Sequence, residues 1–466
     1  MLTLADLVFR RTGRKAPGPR GGLLMGSLQH VRKDPLRMLM QSFREHGDVV
    51  RFTFGPMVAH LVSSPDGAQQ VLAENNKNYG KQTRGFKNLR YVLGNGLLTA
   101  EGDFWKRQRR IAQPGFHRQK IAGFAQTMVR AAEATAERLE AKRGQTLDVS
   151  AEMSRLTLRI VGETLLGHDP SDAADEVGSA VSYLLHIANI RTSRVIDLPP
   201  IFPTKENRLF RKAIGTLDEV VMRIIHERRR EEQALPATGG ARTRAALETR
   251  GDLLSMLMEA KDAETGQSMD DQQLRDEAMT IFLAGHETTA MAMTFTMLCL
   301  ARSPPVLREL REELAQTLNG RSPTLEDLPK LRFNKMVVQE AMRLYPPAWV
   351  ITRSVNEADQ IGGYDIPAGS LVFISPYVTH RHPRYWDDPE GFDPRRFERE
   401  PAKGAYYPFG AGPRQCIGSA FAMMEAELVL ATLAQRVRLE LAPGAPVELD
   451  PSITLRPKNG LLMTVR

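Results

Sequence analysis

Cysteine occurs only twice in the 466 residues, and one of the two, Cys416, stands in PFGAGPRQCIG, a stretch beginning at Pro408. Glycines, a proline and an arginine surround it, and an apolar run that reads as a helix follows at once. A thiol at a helix N-terminus beside a guanidinium is shifted toward thiolate, the form that ligates metal. Glycines at 410, 412 and 418 let the backbone turn sharply. Cys299 lies inside an apolar run without such surroundings and reads as a buried structural residue.

Three further constellations could do chemistry. DDQQLRDEAMTIFLAGHETTAMAMTFTMLCLARSPP predicts one unusually long helix, stopped by Pro304, with Gly285, Glu287, Thr288 and Thr289 in its apolar middle. Glycine there costs about 1 kcal/mol against alanine. The Thr288 hydroxyl can bond back to the Ala284 carbonyl and bend the helix, opening a groove for water. The stretch reads either as a buried helix with a satisfied polar patch or as a carboxylate and hydroxyl placed for proton handling. QEAMRLYPPAW puts Glu340 and Arg343 at i,i+3, either an exposed ion pair or, with Arg396 of FDPRRF, a buried charge cluster. GDFWKRQRRIAQPGFH puts Trp105 and Arg109 on one helical face. They form either a solvated basic face with a core tryptophan or a pair of donors for a carboxylate ligand.

These groups need a scaffold. GDVVRFTFGPMVAHLVSS reads as a β-hairpin turning at Gly55-Pro56. From about 100 to 320 the apolar spacing is helical, broken by a loop at 198–207 and a surface connection at 231–250. A second β-rich portion spans about 351–380, and a helix and short β tail close the chain. The expected class is α+β, mainly α, in one domain. Hydrophobic residues at 42% and charged residues at 25% describe a globular chain. No zinc spacing occurs, and two cysteines suit a reducing cytoplasm. The net charge is +8, but 55 acidic residues are interspersed. An acidic protein partner therefore suits the chain better than nucleic acid. The N-terminal apolar run is too short to span a bilayer and lacks a cleavage pattern. Leu2, Leu4, Leu7, Val8 and Phe9 beside Arg10 and Arg11 form either a plain terminus or a membrane-touching one.

Taken in order, these residues resemble the cytochrome P450 family over essentially the whole chain. FGAGPRQCIG matches its haem-loop pattern F-x-x-G-x-R-x-C-x-G at Phe409, Gly412, Arg414, Cys416 and Gly418. AGHETT matches its oxygen-activating helix and Glu340/Arg343 its E-x-x-R pair. Phe392, Pro394, Arg396 and Phe397 match the arginine motif that follows, and Trp105/Arg109 match W-x-x-x-R. The resemblance implies the P450 fold, with a long central helix over the haem and small sheets. It also implies one haem domain over 1–466, with 1–22 as N-terminal segment and hinge, and non-covalent haem b. Cys416 would be the axial iron ligand and Phe409 would pack near its sulfur, with Gly410 and Gly418 shaping the loop. Arg414, Trp105, Arg109 and Arg353 would hold the propionates. Glu287 and Thr288 would steer protons, while Glu340, Arg343 and Arg396 would be structural. Ala284 stands where covalent-haem members carry glutamate, so no ester link is expected.

The activity so implied is insertion of one oxygen atom of O2 into a C–H bond of a hydrophobic substrate. Retention of Glu287-Thr288 argues against a peroxide-driven enzyme, and a haem sensor is a further rival. Because the chain ends soon after the haem-side helix, electrons are expected from a separate ferredoxin or flavodoxin with its NAD(P)H reductase. Lys106, Arg107 and Arg110 are candidate docking charges on a monomer without an integral membrane anchor. GNGLLTAEGDFWKRQRRIAQPGFH and AGHETT most resemble fatty-acid-hydroxylating branches, making a fatty acid the first expectation. Leu98, Ala284, Val350, Ile351, Ile453 and Thr454 would line an apolar pocket. The first hairpin, however, offers Met57 and Leu61 where some such hydroxylases anchor a carboxylate, with only His60 polar. A terpenoid, steroid or other neutral lipid is therefore the alternative.

Overall fold

The computed structural model describes residues 14–20, 27, 33–167, 174–194, 198–234 and 251–466. The apolar residues at positions 2–9, and residues 235–250 of the expected surface connection, lie outside the described residues. Residues 231–234 of that connection are helical, because Glu-Glu-Gln-Ala continues the helix Lys205–Ala234. The chain divides into two compact units. One comprises Met1–Phe86, Gln339–Cys416 and Leu449–Arg456; the other comprises Lys87–Val338, Ile417–Glu448 and Pro457–Arg466.

The first unit is built on a five-stranded sheet. Strands Val49–Phe54 and Met57–Val62 form the expected hairpin, whose Gly55 takes φ 60°. A two-residue hairpin turn needs such a left-handed position. Met57–Val62 then pairs in parallel with Leu371–Ile374, which pairs antiparallel with Ile351–Val355, and Tyr79–Gly80 closes the far edge. Val49, Val62, Val71, Leu72, Val372 and Ile374 pack under this sheet as a buried cluster with Tyr407.

The second unit is helical. Its central element is a single helix, Asp271–Arg302, opened by a capping box in which Asp270 and Gln273 satisfy each other's backbone N–H. It ends at Arg302, and Pro304 starts the next helix, Pro304–Leu318. Helices Val149–Val161, Ala125–Glu140 and Ser419–Arg436 pack in the same unit. A small sheet of Thr146–Asp148, Leu462–Val465 and Leu439–Leu441 joins distant parts of the chain. Among the described residues no single helix is long and apolar enough to cross a membrane.

Candidate active site

Phe409–Cys416 is a tight loop whose bonds are mainly its own. The N–H of Gly410 donates to the Tyr407 carbonyl at 3.0 Å, that of Gln415 to Gly412 at 3.0 Å, and that of Cys416 to Phe409 at 2.9 Å. Gly410 and Gly412 take φ 71° and 69°. At Gly412 only hydrogen fits, since a Cβ would stand 2.0 Å from the Leu72 carbonyl oxygen. At Gly410 a Cβ would meet only Ile351 Cδ1, at 3.8 Å, leaving the surface beside that glycine open. Cys416 is exposed whereas Cys299 is buried, and neither forms a disulfide. Gly418 caps the helix Ser419–Arg436. An exposed soft sulfur, an open glycine face and Arg414 two residues before the sulfur fit a flat macrocycle bearing an iron and carboxylates.

In the second unit the central helix is buried from Leu274 to Leu300 except at Ile281, Ala284, Gly285, Glu287 and Thr288. Residues 281, 284, 285 and 288 follow i, i+3, i+4, i+7, so one stripe of an otherwise packed helix is open. The Thr288 hydroxyl donates to the Ala284 carbonyl at 2.5 Å, the back-bond expected from sequence, and the helix continues unbroken. The opposite side is pinned. His286 Nε2 donates to the Ser154 carbonyl at 3.1 Å and the Thr157 hydroxyl donates to the His286 carbonyl at 3.0 Å. Burial lowers the His286 pKa to about 4, so its ring is neutral. Gly285 is explained by closeness, since a Cβ there would come within 3.3 Å of Val161.

Two carboxylates that the sequence reading passed over clamp the 94–97 turn onto this helix. Asp276 accepts the Asn95 N–H at 2.7 Å, and Glu277 accepts the Leu97 N–H at 3.0 Å. Burial raises the Glu277 pKa to about 7. Their signal was two adjacent acids inside an apolar helical run. The clamp presents Leu98, which is exposed, as is Ala284. In the first unit Val350 and Ile351 are half-buried and lie beside Ile453 and Thr454. The Trp349 indole donates to the Ser452 carbonyl at 2.8 Å, and the Leu455 N–H donates to Pro347 at 2.9 Å.

Trp105 and Arg109 share one half-buried face of the helix Gly102–Ala112. Arg353 is buried in the strand Ile351–Val355, its guanidinium donating to the Thr352 carbonyl at 2.9 Å, and Arg414 is half-buried. Cys416, Phe409, Gly410, Arg414 and Arg353 fall in the first unit. Trp105, Arg109, Glu287, Thr288 and Gly418 fall in the second.

Glu340, Arg343 and Arg396 form the buried cluster rather than an exposed pair. Glu340 and Arg343 are fully buried, joined through Nε at 2.6 Å and Nη2 at 2.8 Å. Glu340 also accepts the Asp393 N–H at 2.9 Å and the Arg396 Nε at 3.3 Å. Arg343 Nη1 donates to the carbonyls of His380 and Pro389 at 2.8 and 2.7 Å. His380 Nε2 accepts the Tyr407 N–H at 3.0 Å, and the Tyr407 hydroxyl reaches Thr379 at 2.7 Å. Burial, then Arg343, pushes the His380 pKa well down, so its ring stays a neutral acceptor. This chain of bonds ends two residues before Phe409. His380 had no readable signal, because its partner lies 27 residues away.

The three candidate docking cations are each engaged within the chain. Lys106 pairs with Asp103 at 2.7 Å, and Arg107 donates to the Ser268 carbonyl at 3.2 Å. Arg110 is held by Asp262 at 2.9 Å and Glu264 at 2.9 Å. Asp262 and Glu264 sit about 150 residues downstream in sequence, beyond the reach of a spacing argument. On the first hairpin His60 and Leu61 are fully buried, while Met57 is exposed. Burial, with Arg51 nearby, lowers the His60 pKa to about 3, so the residue offers no charge to a carboxylate.

A model of the cytochrome P450 family matches residues 16–464. Cyclooctatin synthase of Streptomyces melanosporofaciens is 36% identical over 96% of this chain and 94% of its own length. Cyclooctat-9-en-7-ol 5-monooxygenase of the same organism is 35% identical over 90% of this chain and 88% of its own. Pentalenene oxygenase of Streptomyces avermitilis is 31% identical over 91% of each.

Proposed function

The chain belongs to the cytochrome P450 family of haem-b monooxygenases with a mainly α, α+β fold, and from that premise we propose that its substrate is a terpenoid rather than a fatty acid. The observation that carries this reading is the activity for which its relatives are named. Two of them act on cyclooctat-9-en-7-ol and pentalenene. The neutral His60 and buried Leu61 support it, since the first hairpin supplies no anchor of the expected kind for a carboxylate. The overall change is R–H + O2 + 2e⁻ + 2H⁺ → R–OH + H2O.

When bound, the haem supplies the iron at which dioxygen is reduced and one oxygen atom is transferred. In this assignment Cys416 would hold the iron as thiolate, with Phe409 packed near its sulfur. Gly410, whose Cβ position is open, would leave room for the macrocycle, while Gly412 and Gly418 shape the loop. Trp105, Arg109, Arg353 and Arg414 offer N–H donors to the propionates. Glu287, half-buried, takes a proton from solvent, and Thr288 orients the water that passes it on. While it donates to the Ala284 carbonyl, the Thr288 hydroxyl can still accept from that water. Leu98, Ala284, Val350, Ile351, Ile453 and Thr454 surround an apolar substrate. Residues 1–466 act as one cytoplasmic, monomeric haem domain that receives electrons from a separate ferredoxin or flavodoxin and its NAD(P)H reductase. Docking through Lys106 and Arg110 must compete with the acids already paired with them, and docking through Arg107 with the Ser268 carbonyl.

Substrate-induced spin-state change, followed by turnover with a reductase, tests the substrate class. Terpene hydrocarbons and alcohols should shift the spectrum and yield hydroxylated product. A response to fatty acids with none to terpenoids would return the assignment to the fatty-acid hydroxylases. Cys416→Ser should abolish the thiolate-type carbon monoxide spectrum of the reduced protein.

A further inference from the structure

The helix Gly102–Ala112 carries its functional side chains on two flanks. Trp105 and Arg109, at i,i+4, share one of them. Arg107 and Arg110, at i,i+3, share the other, about 150° away around a helix of 3.6 residues per turn. Gln108, Ile111 and Ala112 are buried and seat the helix on its core side. Apolar burial is non-directional and leaves rotation about the helix axis loosely set. A guanidinium held by two bonds to one carboxylate is directional.

One loop, 261–268, grips the Arg107–Arg110 flank. Lys261 and Ser268 form an antiparallel bridge. The Asp262 N–H donates to the Gln267 carbonyl at 2.9 Å, and the Gly266 N–H donates to the Asp262 carbonyl at 2.8 Å. Inside this closed loop the Asp262 side chain is fully buried and accepts the Thr265 hydroxyl at 2.8 Å. It also accepts Arg110 twice, through Nε at 2.9 Å and Nη2 at 3.2 Å. Glu264 adds a second carboxylate to Arg110 at 2.9 Å, and Arg107 donates to the Ser268 carbonyl at 3.2 Å. Two contacts a turn apart fix both the rotation and the height of the helix.

The loop is in turn anchored to the central helix. Met269 is buried, and the next residue, Asp270, caps that helix by accepting the Gln273 N–H at 2.8 Å. The helix bearing Trp105 and Arg109 is thereby tied to the helix bearing Glu287 and Thr288, within one compact unit. An ion pair with one partner fully buried adds little net stability, because desolvation offsets much of the attraction. What it supplies is direction.

We propose that Asp262 is a positioning residue for the haem: through Arg110 it sets the rotation at which Trp105 and Arg109 offer their N–H groups to the propionates. This rests on the assignment of those two donors and is independent of the substrate.

The test is haem release from the full-length, haem-loaded protein to excess apomyoglobin. Asp262→Asn keeps the loop's backbone bonds and should release haem roughly tenfold faster, as loss of an outer partner does at metal sites. The same variant reconstituted with haem dimethyl ester, whose propionates are blocked, should release it no faster than the wild type does. Arg109→Ala should also speed haem release, and adding Asp262→Asn to it should have little further effect, because both changes remove one contact. Equal acceleration with haem and with its ester would overturn the proposal, since Asp262 would then support only the fold. So would an unchanged rate for Asp262→Asn, or full additivity with Arg109→Ala. A neutral Arg109→Ala would instead remove Arg109 from the propionates and take the proposal with it.

Discussion

Glu340 and Glu425 are both fully buried glutamates, and their surroundings are opposite. Glu340 accepts from Arg343, Arg396 and the Asp393 N–H. Among the described residues neither Glu425 oxygen has a hydrogen-bond partner. Burial alone pushes the Glu425 pKa well above the usual glutamate range, with no charged group contributing. One carboxyl is therefore part of an ion cluster and the other is a neutral acid in the helix that follows the cysteine loop. Equal burial has produced opposite chemistry, and partners make the difference.

The largest way to break this contrast is Arg343→Ala. It leaves Glu340 buried without its main partner, a loss of about 3–5 kcal/mol, and frees the carbonyls of His380, Pro389 and Gly391. The expected result is failed haem incorporation, read from the absorbance ratio of the purified protein. A fully loaded variant with slow turnover would contradict the structural role.

His380→Phe should cost about 1–3 kcal/mol, because the Tyr407 N–H loses its acceptor. Its pH behaviour is the sharper readout. The folded pKa is depressed, so below pH 6.5 the unfolded chain binds a proton that the folded chain refuses. This residue's stability contribution is lost as pH falls through that region. The variant should lose that part of the acid limb in denaturant titrations, and an identical limb would sink the assignment.

Glu425→Gln should act at the other end. With the folded pKa raised, the wild type is penalised as pH rises above the ordinary glutamate value. The penalty grows by about 1.4 kcal/mol per pH unit until the raised pKa is reached. The glutamine variant should melt higher than wild type at pH 8 and equal it at pH 4. Lower melting at both values would mean that the carboxylate has a partner.

Thr288→Ala should leave stability nearly unaltered, since the hydroxyl only bonds its own helix. Product formed per NAD(P)H consumed should drop severalfold while peroxide rises. Unchanged coupling would remove Thr288 from proton handling.

Much of the site was legible because it depends on neighbours in sequence. The positive-φ glycines at 410 and 412, the Thr288 back-bond and the shared face of Trp105 and Arg109 follow from spacing. Other features were not legible. The parallel pairing of Met57–Val62 with Leu371–Ile374 joins segments some 300 residues apart. Arg110 looked available for docking until Asp262 folded against it. The segment 198–207 read only as a proline-rich loop, and the exposure of Ile201 depends on Asn207 and Arg191 behind it. The motif wording pointed first to a fatty acid, whereas the relatives favour the terpenoid alternative.

By itself the sequence determined which groups can ligate, donate and turn, because glycine torsions and helical spacing are short-range properties of a chain. Tertiary structure decided which of those groups are charged, neutral, paired or open. Burial and ion pairing depend on atoms contributed from far along the chain, and no local spacing specifies them.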